Sequence, residues 1–469
     1  MRIQFLLIIQ IFIICSSSET TLRLRLNQKC STFIASVMKK GLQNEMMKIS
    51  SISPQKIPFG SGYADVEGMR VESFESPDIS IFPAAPDGFV LSTNGGSVTI
   101  SGSSSATYTF LWTMYFRSNW SIKMDGIKVS TRINLVSQNG KLQLNFKECQ
   151  LKVENINLRL YGGIGAWIAN HFTGGAEKNI RKSLKKTICA GLKNNIVRVN
   201  KNLWLEKTQI NLIDNVFLTH QLLENPKVTK DFIQFDFSAY LTFGRSKCYL
   251  PSKGIDSNNK NQQTVSNHMA ILWLGEPMIN CYLKTWYELT NHHLNIENNK
   301  RFLDLYNSIC EKKKECIDND TDENQLVDVD IYLLEAPILY AEYRIYVETS
   351  IKVVFYQSPK NSSNIKLREL DLRSRNLLNV TISQGRINVR TEKVELKTTH
   401  EHDTEYSHLL ETEELDDLIE QTLKKLQIWE ITINIPLLAA PHFTLSNNAT
   451  FTGIDNFIRA DVDFTSSDQ

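Results

Sequence analysis

The chain has 469 residues, of which 42% are hydrophobic and 22% charged, the balance of an ordinary globular protein. At about 150 residues per domain, this length predicts two or three domains. The 22 Phe, 15 Tyr and 7 Trp exclude disorder of the whole chain, and no apolar run reaches the ~20 residues that a membrane-spanning helix needs.

The longest apolar run lies near the N-terminus and predicts a secretory signal peptide. Arg2 precedes the run, which extends from Phe5 to Cys15, and three serines follow it. A basic start, an apolar middle and small residues at the exit are the three parts of a signal sequence. We therefore expect residues 1–18 to be removed and the mature chain to be secreted; a buried first strand is the alternative.

Secretion determines how the cysteines and the asparagine sequons are interpreted. Seven cysteines follow the signal, and in an oxidising compartment most of them should pair. Cys310 can pair with Cys316, Cys248 can pair with Cys281, and Cys30 is expected to be a free buried thiol. Sequons for N-glycosylation occur at Asn119, Asn319, Asn361, Asn379 and Asn448.

The net charge of +1 hides an uneven distribution along the chain. Residues 20–245 carry 28 Lys and Arg against 16 Asp and Glu, a net charge of +12, whereas residues 246–469 carry 23 against 34, a net charge of −11. A basic half joined to an acidic half indicates two domains with different electrostatic roles. The basic half could face anionic lipid headgroups or another polyanion; the alternative is that the charges only solvate helical faces.

Residues 27–49 have the pattern of an amphipathic helix, which the Ser- and Pro-containing stretch at 50–54 ends. From about Gly62 to Leu160 the apolar residues recur at every second position, which predicts an antiparallel sheet with one apolar face. A Gln-Asn-Gly turn at 138–140 predicts a hairpin within this sheet. The apolar side of the predicted helix at 27–49 carries Cys30, Ile34, Val37, Met38 and Leu42.

A second amphipathic helix is predicted around residues 178–201, because apolar residues recur there every four positions from Ile180 to Ile196. Gly174 and Gly175 are expected to interrupt it from an earlier apolar turn at 167–169. The period then returns to two, and the alternation over 233–243 predicts a strand of about eleven residues.

Residues 251–266 are polar and aromatic-free, and 246–266 is interpreted as a linker between domains at 19–245 and 267–469. The second half repeats the order of the first: strands over about 268–289, a helix near Phe302 to Ile309, and further strands. A helix over 411–426 and a closing strand over 458–464 follow. The fold class is therefore α+β, with sheet and long helix in each half.

Five segments occur in a characteristic order, at 26–36, 97–102, 120–129, 166–172 and 456–464. Together they resemble the bactericidal permeability-increasing protein family, which also contains lipopolysaccharide-binding protein, phospholipid transfer protein and cholesteryl ester transfer protein. The resemblance is strong over about 20–245 and continues collinearly to the C-terminus.

The resemblance implies an elongated boomerang of two domains, each a strongly twisted antiparallel sheet wrapped around a long helix, with a central sheet between them. Each domain would enclose an apolar pocket for the acyl chains of a phospholipid, and Cys149 would pair with Cys189 as the family's single disulfide. Neither a cofactor nor a catalytic group is implied. The expected lipid-binding residues are Ile34, Val37, Met38, Leu42, Trp167, Ile168 and Phe172.

The tip of the first domain departs from the family pattern. Members that recognise lipopolysaccharide carry a lysine cluster there, whereas residues 101–117 have Arg117 as their one basic residue. Aromatic residues take that place and predict a tip that contacts a membrane interface; packing in the core is the alternative. The predicted contacts are Tyr108, Phe110, Trp112, Tyr115 and Phe116.

These features favour a secreted protein that binds or transfers phospholipid or another acyl lipid and transiently contacts membrane or lipoprotein surfaces. A lipopolysaccharide-binding defence protein is the alternative, and a structural glycoprotein is a third hypothesis. No hydrolase, zinc-protease or phosphate-loop motif is present. The His pairs at 292–293 and 400–402 are expected in solvated loops rather than at a metal, and no nucleic-acid partner is expected.

Overall fold

A computed structural model of the chain describes sixteen segments of the sequence. They are residues 20–47, 55–59, 62–109, 113–162, 173–205, 209–213, 216–243, 246–247, 266–289, 292–296, 326–358, 366–383, 386–402, 419–420, 431–434 and 443–466. The predicted signal peptide, most of the linker at 246–266, and nearly all of the predicted helices at 302–309 and 411–426 lie outside these segments.

Three long helices occur in the described segments: α1 (Gln28–Met47), α2 (Thr173–Leu205) and α3 (Glu276–Leu289). The first agrees with the predicted helix at 27–49. The second starts earlier than predicted, because Gly174 and Gly175 lie inside its first turn instead of interrupting it. No described helix has both the length and the apolar content needed to cross a membrane.

The third helix corrects the expectation of strands over 268–289. Only β14 (Ala270–Gly275) is extended there, and Glu276 then opens α3. Glu276 in the first turn, followed directly by a proline, is typical of a helix start. The buried residues Met278, Cys281 and Thr285 lie three and four positions apart, which is a helical period that the short apolar run concealed.

A sheet in the first half consists of long antiparallel strands in the order β2-β3-β6-β7-β5-β4, with β8 beside β7. The predicted hairpin joins β7 and β8, since Asn139 and Gly140 both have positive φ, as its turn requires. The strands are β2 (Gln55–Phe59), β3 (Gly62–Glu75), β4 (Asp78–Ala84), β5 (Gly88–Asn94), β6 (Ser97–Thr109), β7 (Thr113–Gln138) and β8 (Lys141–Tyr161).

A central sheet takes strands from both halves of the chain, in the order β23-β24-β14-β1-β12-β10-β9, with β11 and β13 beside β12. The predicted strand at 233–243 is its β12. Its other strands are β1 (Leu22–Asn27), β9 (Gln209–Ile213), β10 (Val216–Leu222), β11 (Lys227–Val228), β13 (Ser246–Lys247), β23 (Thr450–Ile454) and β24 (Phe457–Val462), and β12 spans Phe232–Phe243. The domain boundaries stay predictions, although 246–247 is strand rather than linker.

The two faces of the central sheet differ in polarity. Leu22 and Leu272 belong to one apolar face, which forms a core with the start of α1. On the opposite face, Arg23 Nε lies 2.5 Å from Asp236 Oδ1, with both side chains 3% exposed. Two charges buried this deeply stabilise the fold only as a pair, because either one alone would be left desolvated.

A sheet in the second half has the order β15-β16-β18-β19-β20-β21, with β17 beside β18. A small β22–β25 pair follows the predicted closing strand, which ends at Val462 instead of 464. The strands are β15 (His293–Ile296), β16 (Leu326–Leu333), β17 (Ile338–Ala341), β18 (Ile345–Ser358), β19 (Lys366–Ser383), β20 (Arg386–His402), β21 (Ile431–Asn434), β22 (Phe443–Leu445) and β25 (Phe464–Ser466).

The histidines expected in loops lie instead on strands or against rings. His293 Nε2 lies 3.1 Å from Asp330 Oδ1, and His402 Nε2 lies 3.1 Å from Asp371 Oδ2. His292 stacks on Tyr287 with ring centroids 4.2 Å apart. Short polar stretches can be edge or solvent-facing strands, so polarity alone was not a loop signal.

Candidate functional site

The first two turns of α1 are fixed in the central core. Cys30 and Ala35 are only 3% exposed, and Phe33 and Ile34 pack against the core cluster that contains Leu22. Cys30 is a free thiol, as predicted, and burial raises its pKa to about 12. This end of the helix therefore has a structural role.

The later turns of α1 are held at the edge of the first-half sheet by polar contacts. Gln43 donates to the Phe74 carbonyl over 2.9 Å and accepts from the Ser76 backbone N–H over 2.8 Å. Lys39 Nζ lies 2.5 Å from Asp78 Oδ1, although both side chains are well exposed. The helix is thus attached to β3 and β4 through its polar side.

The apolar side of the same turns is left largely uncovered. Val37 is half-buried, while Met38 and Leu42 are 40% and 36% exposed. With Ile34 they form a stripe at i, i+3, i+4 and i+8, a pattern that normally faces a core. A helix that is anchored by its polar side and presents an apolar stripe can bind an apolar ligand along its length.

The second long helix, α2, lies against β8 of this sheet and is fixed to it at three points. Arg181 donates to the carbonyls of Val153 and Glu154, the latter over 3.1 Å. Asn200 exchanges two 2.8 Å hydrogen bonds with the backbone of Leu144. Between these points the predicted disulfide joins Cys149 of β8 to Cys189, with Cα atoms 5.8 Å apart.

An apolar surface lies on one face of the first-half sheet, next to α2. Phe74 packs against a buried cluster that α2 covers with Ile180 and Leu184. The backbone carbonyl of Phe74 accepts the hydrogen bond from Gln43 of α1. Towards the start of β7 this surface continues through Ile122 to Trp120, which packs with Met69. The buried cluster consists of Val98, Met124, Val153 and Ile156.

Sequence reasoning did not assign a role to Trp120 or Met69 in this surface. The available signal was the alternation of Trp120, Ile122 and Met124, which places all three on one face of β7. Gly102, the cross-strand partner of Trp120, has no side chain and so leaves room for the indole ring.

Several predicted site residues lie outside the described structure. They are Trp167, Ile168 and Phe172 within 163–172, and Phe110 and Trp112 within 110–112. Of the other predicted tip residues, only the backbone is described: Tyr108 pairs with Met114, Tyr115 with Thr107 and Phe116 with Ala106.

Among the sequons, Asn119, Asn379 and Asn448 are exposed, and the other two lie outside the described residues.

The outer side of α2 is strongly basic. Residues 173–205 contain eight Lys and Arg and one Glu, and no ion pair to these cations occurs within the described segments. Their exposure follows from the three anchoring points, which direct the opposite side of the helix to the sheet. The exposed cations are Lys182, Lys185, Lys186, Lys193, Arg198 and Lys201.

The second-half sheet offers a different kind of cavity. A surface pocket of about 320 Å³ is lined by two tyrosines and one leucine, but also by five charged side chains, among them Arg344, Arg375 and Glu395. This lining does not suit an acyl chain. Within the described residues, no group of His, Cys, Asp and Glu is arranged to hold a metal ion.

Comparisons with known proteins agree with this architecture. The sequence model of the LBP / BPI / CETP family, N-terminal domain, matches residues 37–200. Bactericidal permeability-increasing protein of Rattus norvegicus is 23% identical over 216 residues, 45% of this chain and 44% of that protein. The crystal structure of lipopolysaccharide binding protein aligns with a TM-score of 0.58 over 96% of this chain and 99% of that chain, at 11% identity. These matches support the predicted resemblance to the LBP/BPI/CETP family, whose N-terminal domain model matches residues 37–200.

The structural alignment, which covers 96% of this chain, confirms the predicted α+β fold. A BPI/LBP family protein of Arabidopsis thaliana is 25% identical over 132 residues, 28% of this chain and 27% of that protein. The chain matches less than half the length of each of these curated relatives.

Proposed function

We propose that this chain is a secreted lipid-binding protein that holds the acyl chains of a phospholipid, or of another acyl lipid, along the apolar side of α1. The observation that supports this most is the exposure of Met38 and Leu42 on a helix that Gln43 fixes beside an apolar sheet face. Ile34 and Val37 extend the stripe, and the predicted residues Trp167, Ile168 and Phe172 would continue the site. Such binding needs no catalytic group.

The hydrophobic effect supplies enough free energy for this function. Each buried methylene contributes about 0.8 kcal/mol, so two chains of about 16 carbons would gain on the order of 20 kcal/mol before ordering costs. The ordering of flexible chains and the loss of translational freedom offset much of that gain. The result is a lipid that is held firmly yet can be exchanged at a membrane or lipoprotein surface.

The test is the lipid content of the chain purified from the medium of secreting cells. Mass spectrometry of the extracted lipid should find one or two diacyl phospholipids per chain. The double variant Met38→Asp, Leu42→Asp should retain less than about one fifth of this lipid, because carboxylates cannot be desolvated beside an acyl chain.

The matched control is the double variant Val197→Asp, Val199→Asp. These valines are 61% and 40% exposed on α2, so the same chemical change is made away from the proposed site. Equal lipid loss in both variants, or the absence of lipid from the wild type, would overturn the proposal.

A second candidate function is binding of an anionic lipid such as lipopolysaccharide, and the exposed cations of α2 favour it. Lysines that face an anionic surface each contribute about 1 kcal/mol, and salt screens that attraction. Binding to lipopolysaccharide that falls steeply with salt, without binding to phosphatidylcholine vesicles, would favour this function. Equal binding to both would favour the phospholipid carrier.

The proposal also includes secretion of the protein, its glycosylation and its contact with a membrane. The signal-like residues 1–18 and the exposed sequons Asn119, Asn379 and Asn448 support a secreted glycoprotein. The aromatic tip, with Tyr108, Phe110, Trp112, Tyr115 and Phe116, is proposed to contact the membrane during lipid exchange.

A further inference from the structure

Trp120 places a polar N–H group inside the apolar surface of the first-half sheet. Its side chain lies on the same face of β7 as Ile122 and Met124, and the residue is only 8% exposed. The indole Nε1 is buried and has no hydrogen-bond partner among the described residues. Nearly all buried donors in proteins are hydrogen-bonded, so this group calls for a physical reason.

The ring of Trp120 packs directly against the backbone of β6, because Gly102 has no side chain. Gly102 pairs with Trp120 across β6 and β7, and a Cβ atom built on Gly102 would lie 2.7 Å from Cζ2 and 2.9 Å from Cε2 of the indole. The Cε2–Cζ2 edge of the indole therefore rests on the backbone of β6. Nε1, which is bonded to Cε2, is fixed with it.

The ring has mostly apolar surroundings, and the nearby Glu67 carbonyl oxygen, 3.1 Å from the Cβ position on Gly102, accepts no hydrogen bond from Nε1. Its hydrophobic neighbours are Met69, Ile100, Ile122 and Leu160, and their side chains carry no oxygen or nitrogen. A phenylalanine would place a smaller aromatic ring there without an unsatisfied donor. The N–H is therefore explained if an acceptor arrives with the ligand that this apolar surface binds.

We propose that Trp120 Nε1–H donates a hydrogen bond to an ester carbonyl oxygen of the bound acyl lipid. This inference rests on the proposed lipid-binding function and names a residue that would position the ligand. A neutral ester carbonyl suits an apolar site better than a phosphate, whose charge would lose its hydration there. The contact would set how deeply the acyl chains enter, because an ester lies where each chain meets the headgroup.

The experiment compares two phosphatidylcholines that differ in this one acceptor. A diester and a diether lipid with equal chains are titrated against the delipidated full-length chain. The wild type should bind the diester lipid about fivefold more tightly or better, the ratio expected for one hydrogen bond. Trp120→Phe should bind the two lipids equally, because it keeps the ring contacts and removes the donor.

Trp273→Phe is the matched control. Trp273 is a fully buried tryptophan of β14 whose Nε1 also has no partner among the described residues, but it lies in the central sheet. This variant should keep the diester preference of the wild type. If Trp120→Phe keeps it too, or if the wild type shows none, the assignment of Trp120 is wrong.

A second measurement uses the wild type alone and so does not depend on how the variant folds. In ¹⁵N-tryptophan-labelled protein, the indole N–H resonance of Trp120 should move downfield with the diester lipid and not with the diether lipid. Equal shifts with both would contradict the hydrogen bond. Binding of neither lipid would instead contradict the lipid-binding function itself.

Discussion

The disulfide between Cys149 and Cys189 gives a stability prediction that can be worked from the structure. It closes a loop of 40 residues that contains most of β8 and the first half of α2. In the chain-entropy description, a loop of this length stabilises the folded state by about 4 kcal/mol, because the cross-link restricts the unfolded chain. The double variant Cys149→Ala, Cys189→Ala should lose about that amount.

The loss should be entropic rather than a local collapse of the helix. Arg181 and Asn200 still hold α2 to β8 on either side of the missing bridge. Guanidinium unfolding of the full chain, followed by tryptophan fluorescence, should therefore show a lower midpoint with an equal or steeper slope, because the unfolded chain without the bridge is less compact. For a domain of about 200 residues, the melting temperature of that transition should fall by roughly 8–16 °C.

Thr187→Ala, an exposed change two residues from Cys189, is the control and should alter the unfolding free energy by less than about 0.5 kcal/mol. A loss below about 1 kcal/mol in the double variant would refute the loop argument. A shallower slope would show that the bridge maintains native structure instead of restricting the unfolded chain.

Three further predictions concern other parts of the chain. Gly95 and Gly96 both have positive φ, but a Cβ atom on Gly96 would lie 2.7 Å from the backbone of Pro77, whereas Gly95 has open space. In thermal unfolding, Gly96→Ala should therefore lower the stability by at least about 2 kcal/mol, and Gly95→Ala by about 1 kcal/mol. Hydrogen bonds from Lys352, the larger cause, and from Lys366 lower the pKa of Glu369 to about 2. Because the folded-state pKa lies below the unfolded value near 4.3, this contribution is complete above about pH 4.5 and disappears as the pH falls towards 2. It amounts to about 3 kcal/mol at most, so Glu369→Gln should flatten the acid limb of the stability curve, and an unaltered limb would contradict the assignment. Cys30 has a pKa of about 12 and should resist a thiol reagent in the folded chain, reacting only on unfolding; fast reaction of the native thiol would show that the start of α1 is not buried.

Periodic elements were predictable from the sequence because their apolar residues face one core. Helix α1 and strand β12 agree with their predicted ranges to within two residues, and the hairpin after Gln138 follows from its Asn-Gly turn. The resemblance also implied the disulfide from Cys149 to Cys189, which the structure contains.

The predictions that were wrong, for α3 and for the histidines, also have physical causes. Helix α3 was interpreted as strand because a short apolar run fits both periods, and Glu276 with the following proline was not weighed as a helix start. His293 and His402 were placed in loops because they lie in polar stretches, whereas their partners, Asp330 and Asp371, are distant in sequence.

The candidate site was predictable only in part. The stripe on α1 is visible as a helical period, but no pattern along the sequence shows that its later turns remain uncovered. Exposure depends on where the sheet places its edge, and that follows from the contacts of Gln43 and Lys39 with β3 and β4. The buried N–H of Trp120 likewise depends on which residues surround it, not on its place in the alternation.

The most direct test of acyl-chain binding along α1 is photo-crosslinking with a phosphatidylcholine that carries a diazirine in its acyl chain. After loading and irradiation of the full-length chain, peptide mapping should place adducts on the turns of α1 between Ile34 and Leu42. Adducts confined to other surfaces, with none on this stripe, would contradict the account.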